Sequence, residues 1–285
     1  MDNLDINDLI DTINVMKKQE KSGYRTKSGL YNHPRLSKKA TTIDAECRRL
    51  MVAWCKQLAE HCDYNHHTVA IAMNILDRFV AEEPQIISSN NAIHEFKLAT
   101  MASLYTSIKT HEILAIDPRT ISKLTKGVFS SAEIEEMEMR ILSKLGWRVN
   151  TPTAMAFGEK YIDILLPSAL RKIARKLVLC QIEHAMENCQ FLGTDASEIA
   201  FTATYNAIIV TTGRTSQLES LQTSINIKFL PFLMKTMLMH HLQSSEPDMI
   251  SSLKIITQPT KKQQSGQSSS KSSHRHLSPR SITMA

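Results

Sequence analysis

Residues 96–108 read FKLATMASLYTSI, a segment in which nearly every side chain is apolar or small. A helix built from this segment presents apolar or small side chains in every direction, and such a helix is usually enclosed by others. The chain also has only 8 glycines among 285 residues, about 3% against a usual ~7%, which disfavours turn-rich all-β folds. We therefore predict an all-α protein with this segment as a central helix.

The segments on either side of the central helix have the apolar spacing of amphipathic helices. The apolar stripes comprise Leu50, Met51, Trp54, Cys55, Leu58 and Cys62, then Val69, Ala72, Met73, Leu76, Phe79 and Val80, then Ile134, Met137, Ile141, Leu142 and Leu145. Asn65 can cap the second of these helices, and Asp117-Pro118 predicts a further helix start. Ser130 and Glu133 form a capping box for the third. Residues 42–150 are thus predicted to form a five-helix unit.

A second set of helices follows Thr151-Pro152, which supplies another cap and proline. The predicted helices span residues 153–165, 168–189, 195–211, 216–222 and 224–242. Residues 151–243 are therefore predicted to form a second five-helix unit, although no residue-level repeat links it to the first.

The two ends of the chain differ from these units. In residues 1–41, apolar side chains on one face of the segment 4–19 predict a short docking helix, and a polar connector follows it. Residues 244–285 are rich in serine, glutamine and lysine, and we expect them to be disordered. Ser278 precedes a proline there and is a candidate phosphorylation site.

The positive charge of the chain is concentrated outside the predicted folded part. Residues 244–285 hold six Lys or Arg and two acidic residues, so they carry four of the six net positive charges. A dedicated nucleic-acid-binding domain would carry a basic stripe on its folded part. Because most of the excess positive charge lies outside the predicted folded part, we expect no nucleic-acid partner. No apolar run approaches the ~20 residues that cross a bilayer. We expect a soluble intracellular protein without a membrane partner.

The residues with reactive or metal-binding side chains do not form a recognisable active site. The five cysteines include no C-x-x-C pair, which favours reduced core thiols over a metal site. The chain has no phosphate-binding glycine loop, nucleophile elbow or H-E-x-x-H pattern. Asp77, an acid on an apolar helix, is more typical of a structural ion pair than of a catalytic base. We expect no cofactor, but the absence of these motifs does not exclude catalysis, and a positive case for it must come from elsewhere.

Two charged residues interrupt apolar surroundings. Lys109 ends the central apolar segment, and Glu138 lies on or beside the stripe of Ile134 and Leu142. A charge beside a buried seam is costly unless it is paired. Spacing leaves two hypotheses open: an intramolecular Lys109–Glu138 ion pair, which it favours, or two groups held at the surface to hydrogen-bond a partner's backbone.

In its ordered motifs the sequence resembles the cyclin family. The matching segments are RRLMVAW (48–54), AMNILDRF (72–79), LATMASLYTSIKTHE (98–112), MEMRIL (137–142) and LGW (145–147), with TPT (151–153) and Phe157 at the junction to the second unit. The resemblance implies two consecutive five-helix cyclin folds. It covers residues 42–158 by motif and residues 159–243 by helix count and order.

The resemblance also implies roles for individual residues. The positions that match kinase contacts of cyclins are Lys109, Glu138 and Glu112. This match favours a contact with a partner over the purely intramolecular Lys109–Glu138 pair that the spacing favours. The positions that match box-structural residues are Arg48, Asp77 and Trp54. The positions that match a substrate-docking patch are Cys47, Leu50, Met51 and Trp54. Cys47, Ala53 and Lys97 replace the usual methionine, aspartate and glutamine, so kinase binding is better supported than substrate docking.

The function that the resemblance implies is regulatory. The chain would bind and activate a cyclin-dependent serine/threonine kinase as a heterodimer, would contact kinase substrates, and would act in the nucleus, the cytoplasm or both. The alternatives are a transcription-associated cyclin, a DNA-binding general transcription factor with the same paired fold, and a scaffold without kinase activation.

Overall fold

The computed structural model describes residues 6–31, 43–114, 116–212 and 221–224. These residues form helices, turns and coil without any strand, and the prediction of an all-α fold is confirmed. Residues 221–224 are helical, whereas residues 225–242 of the predicted helix 224–242, the tail 244–285 and Ser278 lie outside the described residues. No helix within the described ranges is long and apolar enough to cross a membrane.

The α-helices are numbered here in chain order. They are α1 (Ile6–Lys21), α2 (Ala45–His61), α3 (His66–Glu82), α4 (Ala92–His111), α5 (Pro118–Leu124), α6 (Ser131–Lys144), α7 (Ala154–Leu165), α8 (Ser168–Glu187) and α9 (Ala196–Thr212). Short 3-10 helices at Pro84–Ile87 and Cys189–Phe191 join α3 to α4 and α8 to α9.

Most of the predicted helix starts are confirmed by side-chain caps. Asn65 caps α3, Asp117 caps α5, and Ser130 forms the capping box of α6 with Glu133. The cap predicted at Thr151-Pro152 is wrong, because Thr153 caps α7 through a hydroxyl that accepts from the Ala156 amide at 3.1 Å. Proline therefore precedes this cap instead of following it.

The central helix of the first group is α4, which packs against α2, α3, α5 and α6. Every residue from Leu98 to Ile108 is buried. Two of the hydroxyls in this stretch donate to carbonyls inside the protein: Thr100 to Phe96 in the same helix, and Ser107 to Thr68 in α3. Burial of these polar groups is tolerated because each has a partner.

In the second group, α7, α8 and α9 pack against one another. An aromatic cluster forms its core: the rings of Phe157 and Tyr161 are stacked 6.2 Å apart, and Tyr161 meets Phe201 edge-on at 5.7 Å. These helices and residues 221–224 belong to the predicted second unit, whose boundaries stay a prediction.

The cysteines are all free, and only Cys55 is fully buried. The prediction of five core thiols is therefore wrong for the other four, which are half-buried; of these, Cys62 follows the end of α2 and Cys189 lies in a short 3-10 helix. In the described ranges, no group of three or more His, Cys, Asp and Glu residues could hold a metal ion.

Helix α1 docks on the second helix group. It buries Leu9 and Ile13 and packs against α7. At its C-terminal end the buried carboxylate of Glu20 accepts hydrogen bonds from the Ser197 amide at 3.0 Å and the Ser197 hydroxyl at 2.8 Å. Burial raises the pKa of Glu20, against the opposing effect of these two bonds. Because Ser197 lies in the first turn of α9, the carboxylate satisfies a free amide of that helix end.

Residues 22–31, which we call the strap, join α1 to the first helix group and contact both groups. The Arg25 guanidinium donates to the Gly193 carbonyl at 3.0 Å, and the Gly193 amide donates to the Thr26 hydroxyl at 3.2 Å. On the other side, the Asn74 amide group donates to the Tyr24 carbonyl at 3.0 Å. The strap therefore fastens the loop before α9 to helix α3.

The Gly193→Ala variant tests the strap. A methyl group on Gly193 would lie 2.9 Å from the backbone nitrogen of Ser28. Gly29→Ala is the matched control, since Gly29 has a similarly positive φ but nothing within 4 Å of its added carbon. We expect both variants to lose about 1–2 kcal/mol from backbone strain and Gly193→Ala to lose about 1–3 kcal/mol more from the steric clash. Urea unfolding measures both, and equal losses would mean that the strap is not packed as described.

Candidate functional site

Lys109 and Glu138 form an ion pair between the end of α4 and the middle of α6. The Lys109 ammonium lies 2.8 Å from one carboxylate oxygen of Glu138, and the Thr106 hydroxyl donates to the other at 3.0 Å. The Glu138 side chain is only 7% exposed, whereas that of Lys109 is 38% exposed. The structure therefore contains the intramolecular pair that the spacing favours, with its cation at the surface.

The surroundings of Lys109 keep its ammonium charged. Partial burial tends to lower its pKa, but the hydrogen bond and the negative charge of Glu138 outweigh this effect and raise it. The ammonium also lies 4.6 Å from the ring centre of Tyr105, a distance at which a cation is attracted to an aromatic face. The site is thus a positively charged point held in place by a carboxylate and a ring.

Glu112 has a different position from the other two predicted kinase contacts. Its carboxylate accepts from the Asn65 amide at 2.9 Å and from the Thr68 hydroxyl, so it satisfies the start of α3. The contacts of Glu112 therefore connect it with α3 and not with the Lys109–Glu138 pair. The helix-start role was not foreseen because Asn65 and Glu112 are 47 residues apart in sequence.

Sequence reasoning missed several exposed apolar side chains on the same elements. Ile113 is fully exposed and Leu114 is 76% exposed, directly after the end of α4. Met139 beside Glu138, and Trp147 after α6, are also exposed. Exposed large apolar residues are candidates for an interaction surface. The sequence does contain a signal for this surface: the two adjacent apolar residues Ile113 and Leu114 come just after the C-terminal end of α4.

Arg48 and Asp77 form a bidentate ion pair between α2 and α3. The two guanidinium–carboxylate distances are 2.8 and 2.7 Å, and both side chains are almost fully buried. Tyr31 donates its hydroxyl to Asp77 at 2.9 Å, and Arg48 also donates to the Met186 carbonyl at 2.7 Å. Burial tends to lower the pKa of Arg48, but the charge and hydrogen bonds of Asp77 raise it. This pair links α2, α3, the strap and α8.

The four predicted docking-patch residues of α2 differ in exposure. Leu50 is 54% exposed and Cys47 is half-buried, whereas Met51 and Trp54 are buried. Leu50 belongs to the predicted apolar stripe but lies on the solvent side of α2. The burial of Trp54 is consistent with its predicted structural role, and a docking function of the patch stays a prediction.

Comparison with known proteins identifies the family. Residues 11–150 match the family model of the cyclin N-terminal domain. The G2/mitotic-specific cyclin-2 of Antirrhinum majus is 25% identical over 146 residues, which cover 51% of this chain and 31% of that protein. The G1/S-specific cyclin-E of Caenorhabditis elegans is 25% identical over 151 residues, 53% of this chain and 27% of that protein. The chain is a member of the cyclin family.

The structural comparison extends further along the chain. The X-ray structure of a viral cyclin from herpesvirus saimiri superposes with a TM-score of 0.57 and covers 87% of this chain and 97% of that chain, at 15% identity. This likeness shows a cyclin fold. The sequence matches, in contrast, span only about a third of the length of the relatives named above.

Proposed function

We propose that this chain is a regulatory subunit that binds and activates a cyclin-dependent protein kinase in the control of the cell cycle. Membership of the cyclin family supports a regulatory role, and the G2/mitotic and G1/S cyclins among the relatives support a role in the cell cycle. The observation that carries the proposal is the Lys109–Glu138 pair, which holds a half-exposed cation at the end of the central helix.

Lys109 retains a hydrogen-bond donor for a partner. An ammonium group has three N–H donors. Glu138 takes one of them. A remaining donor suits a backbone carbonyl of the kinase, while Ile113 and Leu114, exposed directly after the end of α4, supply apolar contact area. Glu138 is the positioning residue in this proposal, since its own carboxylate is almost fully buried.

The proposed mechanism is noncatalytic. The first helix group packs against the kinase helix that bears the conserved glutamate and moves it inward, so that this glutamate pairs with the lysine that positions ATP. The same contact helps to order the activation loop. An interface that performs this work buries well over ~1,000 Å². We place the complex in the nucleus, the cytoplasm or both, where kinase substrates would be its further partners.

A kinase-activation titration tests the proposal. Wild type, Lys109→Ala and Glu138→Ala would each be titrated into a panel of inactive monomeric cyclin-dependent kinases. We expect each variant to raise the half-activating concentration about tenfold or more, which corresponds to about 1.4 kcal/mol or more. The physical reason is that one variant removes the cation and the other frees it to move.

The controls separate binding from folding. Lys172→Ala on α8 and Glu136→Ala on α6 remove exposed charges of the same kinds and should leave activation unchanged. Thermal unfolding of every variant checks that the fold is intact. If the wild type activates no kinase in the panel, the function proposed here is wrong, and DNA binding by residues 42–243 becomes the next measurement.

A further inference from the structure

A cleft opens between α7 and α8 next to the start of α3. Its cavity volume is about 180 Å³. The floor is apolar and consists of Met155, Ile162, Val178, Leu179 and Ile182. The cleft is in the second helix group, whereas the Lys109–Glu138 pair is on α4 and α6.

The shape of the cleft is set by a close approach of two helices. A methyl group on Gly158 would lie 3.0 Å from the Val178 side chain and 3.4 Å from that of Ile182. The absence of a side chain at Gly158 therefore lets α7 and α8 come together there. Met155 and Ile162, about one turn before and after Gly158, are displaced along α7 and line the hollow on either side of this contact.

The side of the cleft formed by α8 is positively charged. Arg175 and Lys176 line that side, whereas Glu159 lines the cleft from α7. Asp163 is already engaged by Arg171 at 3.4 Å and Arg175 at 3.0 Å. Lys172 and Lys176 are exposed, and neither has a partner in the part of the chain that the structure describes.

We propose that this α7–α8 cleft binds a segment of a partner protein that carries one large apolar side chain next to Asp or Glu. The apolar side chain fills the hollow, and the neighbouring carboxylates meet Arg175 and Lys176. Charge complementarity selects this occupant.

Asp163 prepares the rim for such a segment. Its carboxylate holds Arg175 at 3.0 Å, so the guanidinium is partly fixed before any ligand arrives. Glu159, which also lines the cleft, lies 3.8 Å from the His67 imidazole on the side formed by α3. The acidic side chains of the ligand are therefore expected to face α8, and its apolar side chain to face α7.

Fluorescence anisotropy with short peptides tests this inference on the full chain, without a kinase. The labelled probes are GSDELEDSG, GSDEFEDSG, GSDEAEDSG and GSKKLKKSG, with a fifth peptide that has phosphoserine in place of the central apolar residue. We expect the leucine or phenylalanine peptide to bind at least fivefold more tightly than the alanine peptide. The lysine peptide should not bind.

Two variants assign the binding to the cleft. Lys176→Glu reverses a rim charge on an exposed side chain, and Leu179→Trp fills the hollow; each should weaken binding at least fivefold. Lys123→Glu, an exposed lysine on α5, is the matched control and should change binding less than twofold. Circular dichroism melting identifies any loss of fold in Leu179→Trp, and Lys176→Glu decides the question if that variant unfolds.

Three outcomes would overturn the inference. The first is no binding of either apolar–acidic peptide. The second is binding whose affinity depends neither on the central residue of the peptide nor on the Leu179→Trp substitution, which would mean that only unspecific charge attraction holds the peptide. The third is a preference for the phosphoserine peptide, which would make the rim a phosphate site without an apolar anchor.

Discussion

Replacing Arg48 with alanine is expected to lower the free energy of unfolding by about 3–5 kcal/mol, because it leaves a buried carboxylate without its cation. Asp77 would keep only the hydrogen bond from the Tyr31 hydroxyl. The Met186 carbonyl would lose its donor as well, so that the connection between α2 and α8 weakens together with the connection to α3.

The measurement is urea unfolding of the full chain, followed by circular dichroism. Arg49→Ala is the matched control: Arg49 is the next residue, it pairs with Glu46 at 2.6 Å, and both partners are exposed. An exposed pair of this kind contributes about 0–1 kcal/mol. A loss below about 1 kcal/mol for Arg48→Ala as well would show that the pair is hydrated and not the buried link described above.

Replacing Phe201 with alanine is expected to destabilise the protein by about 3–5 kcal/mol, the range for removing a large aromatic side chain from a core. Phe201 has no exposed surface and meets the ring of Tyr161 edge-on. This variant is informative because the matched cyclin N-terminal domain ends at residue 150, and the packing of α7, α8 and α9 needs its own test.

Ile209→Ala provides the control for Phe201→Ala on the same helix. Ile209 is partly exposed, so its truncation should cost well under half as much. Chemical unfolding monitored by tyrosine and tryptophan fluorescence would compare the two. Equal and small losses would contradict the packed aromatic core, while a large loss for Ile209→Ala alone would mean that α9 is turned the other way.

The elements that the sequence predicts well are those decided by local chemistry. The apolar run 96–108 predicts an enclosed helix, and the stretch from Leu98 to Ile108 is buried throughout. Asn65, Asp117 and Ser130 act within three residues of their own positions, so their caps can be read directly from the sequence. The Lys109–Glu138 pair was foreseen because a charge beside an apolar stripe needs a partner. Its contact with a kinase stays a prediction.

The features that the sequence does not predict depend on contacts distant along the chain. Glu112 reaches the start of α3, which periodicity cannot reveal. Leu50 has the spacing of a core residue yet lies on the solvent side, because α3 and α8 together decide which face of α2 is covered. For the strap, the sequence predicts only a polar connector, since its partners near Gly193 lie more than 160 residues away.

That separation sets an order for folding during synthesis. Gly193 is made 168 residues after Arg25, so at ~5–20 residues per second the ribosome needs roughly ten to thirty seconds to supply the partners of the strap and of Glu20. For most of this interval the apolar face of α1, with Leu9 and Ile13, stays uncovered, because α7 (Ala154–Leu165), against which it packs, has not yet been made. We expect a nascent chain stopped before α7 to recruit chaperones at its N-terminus, and one extended past α9 to release them.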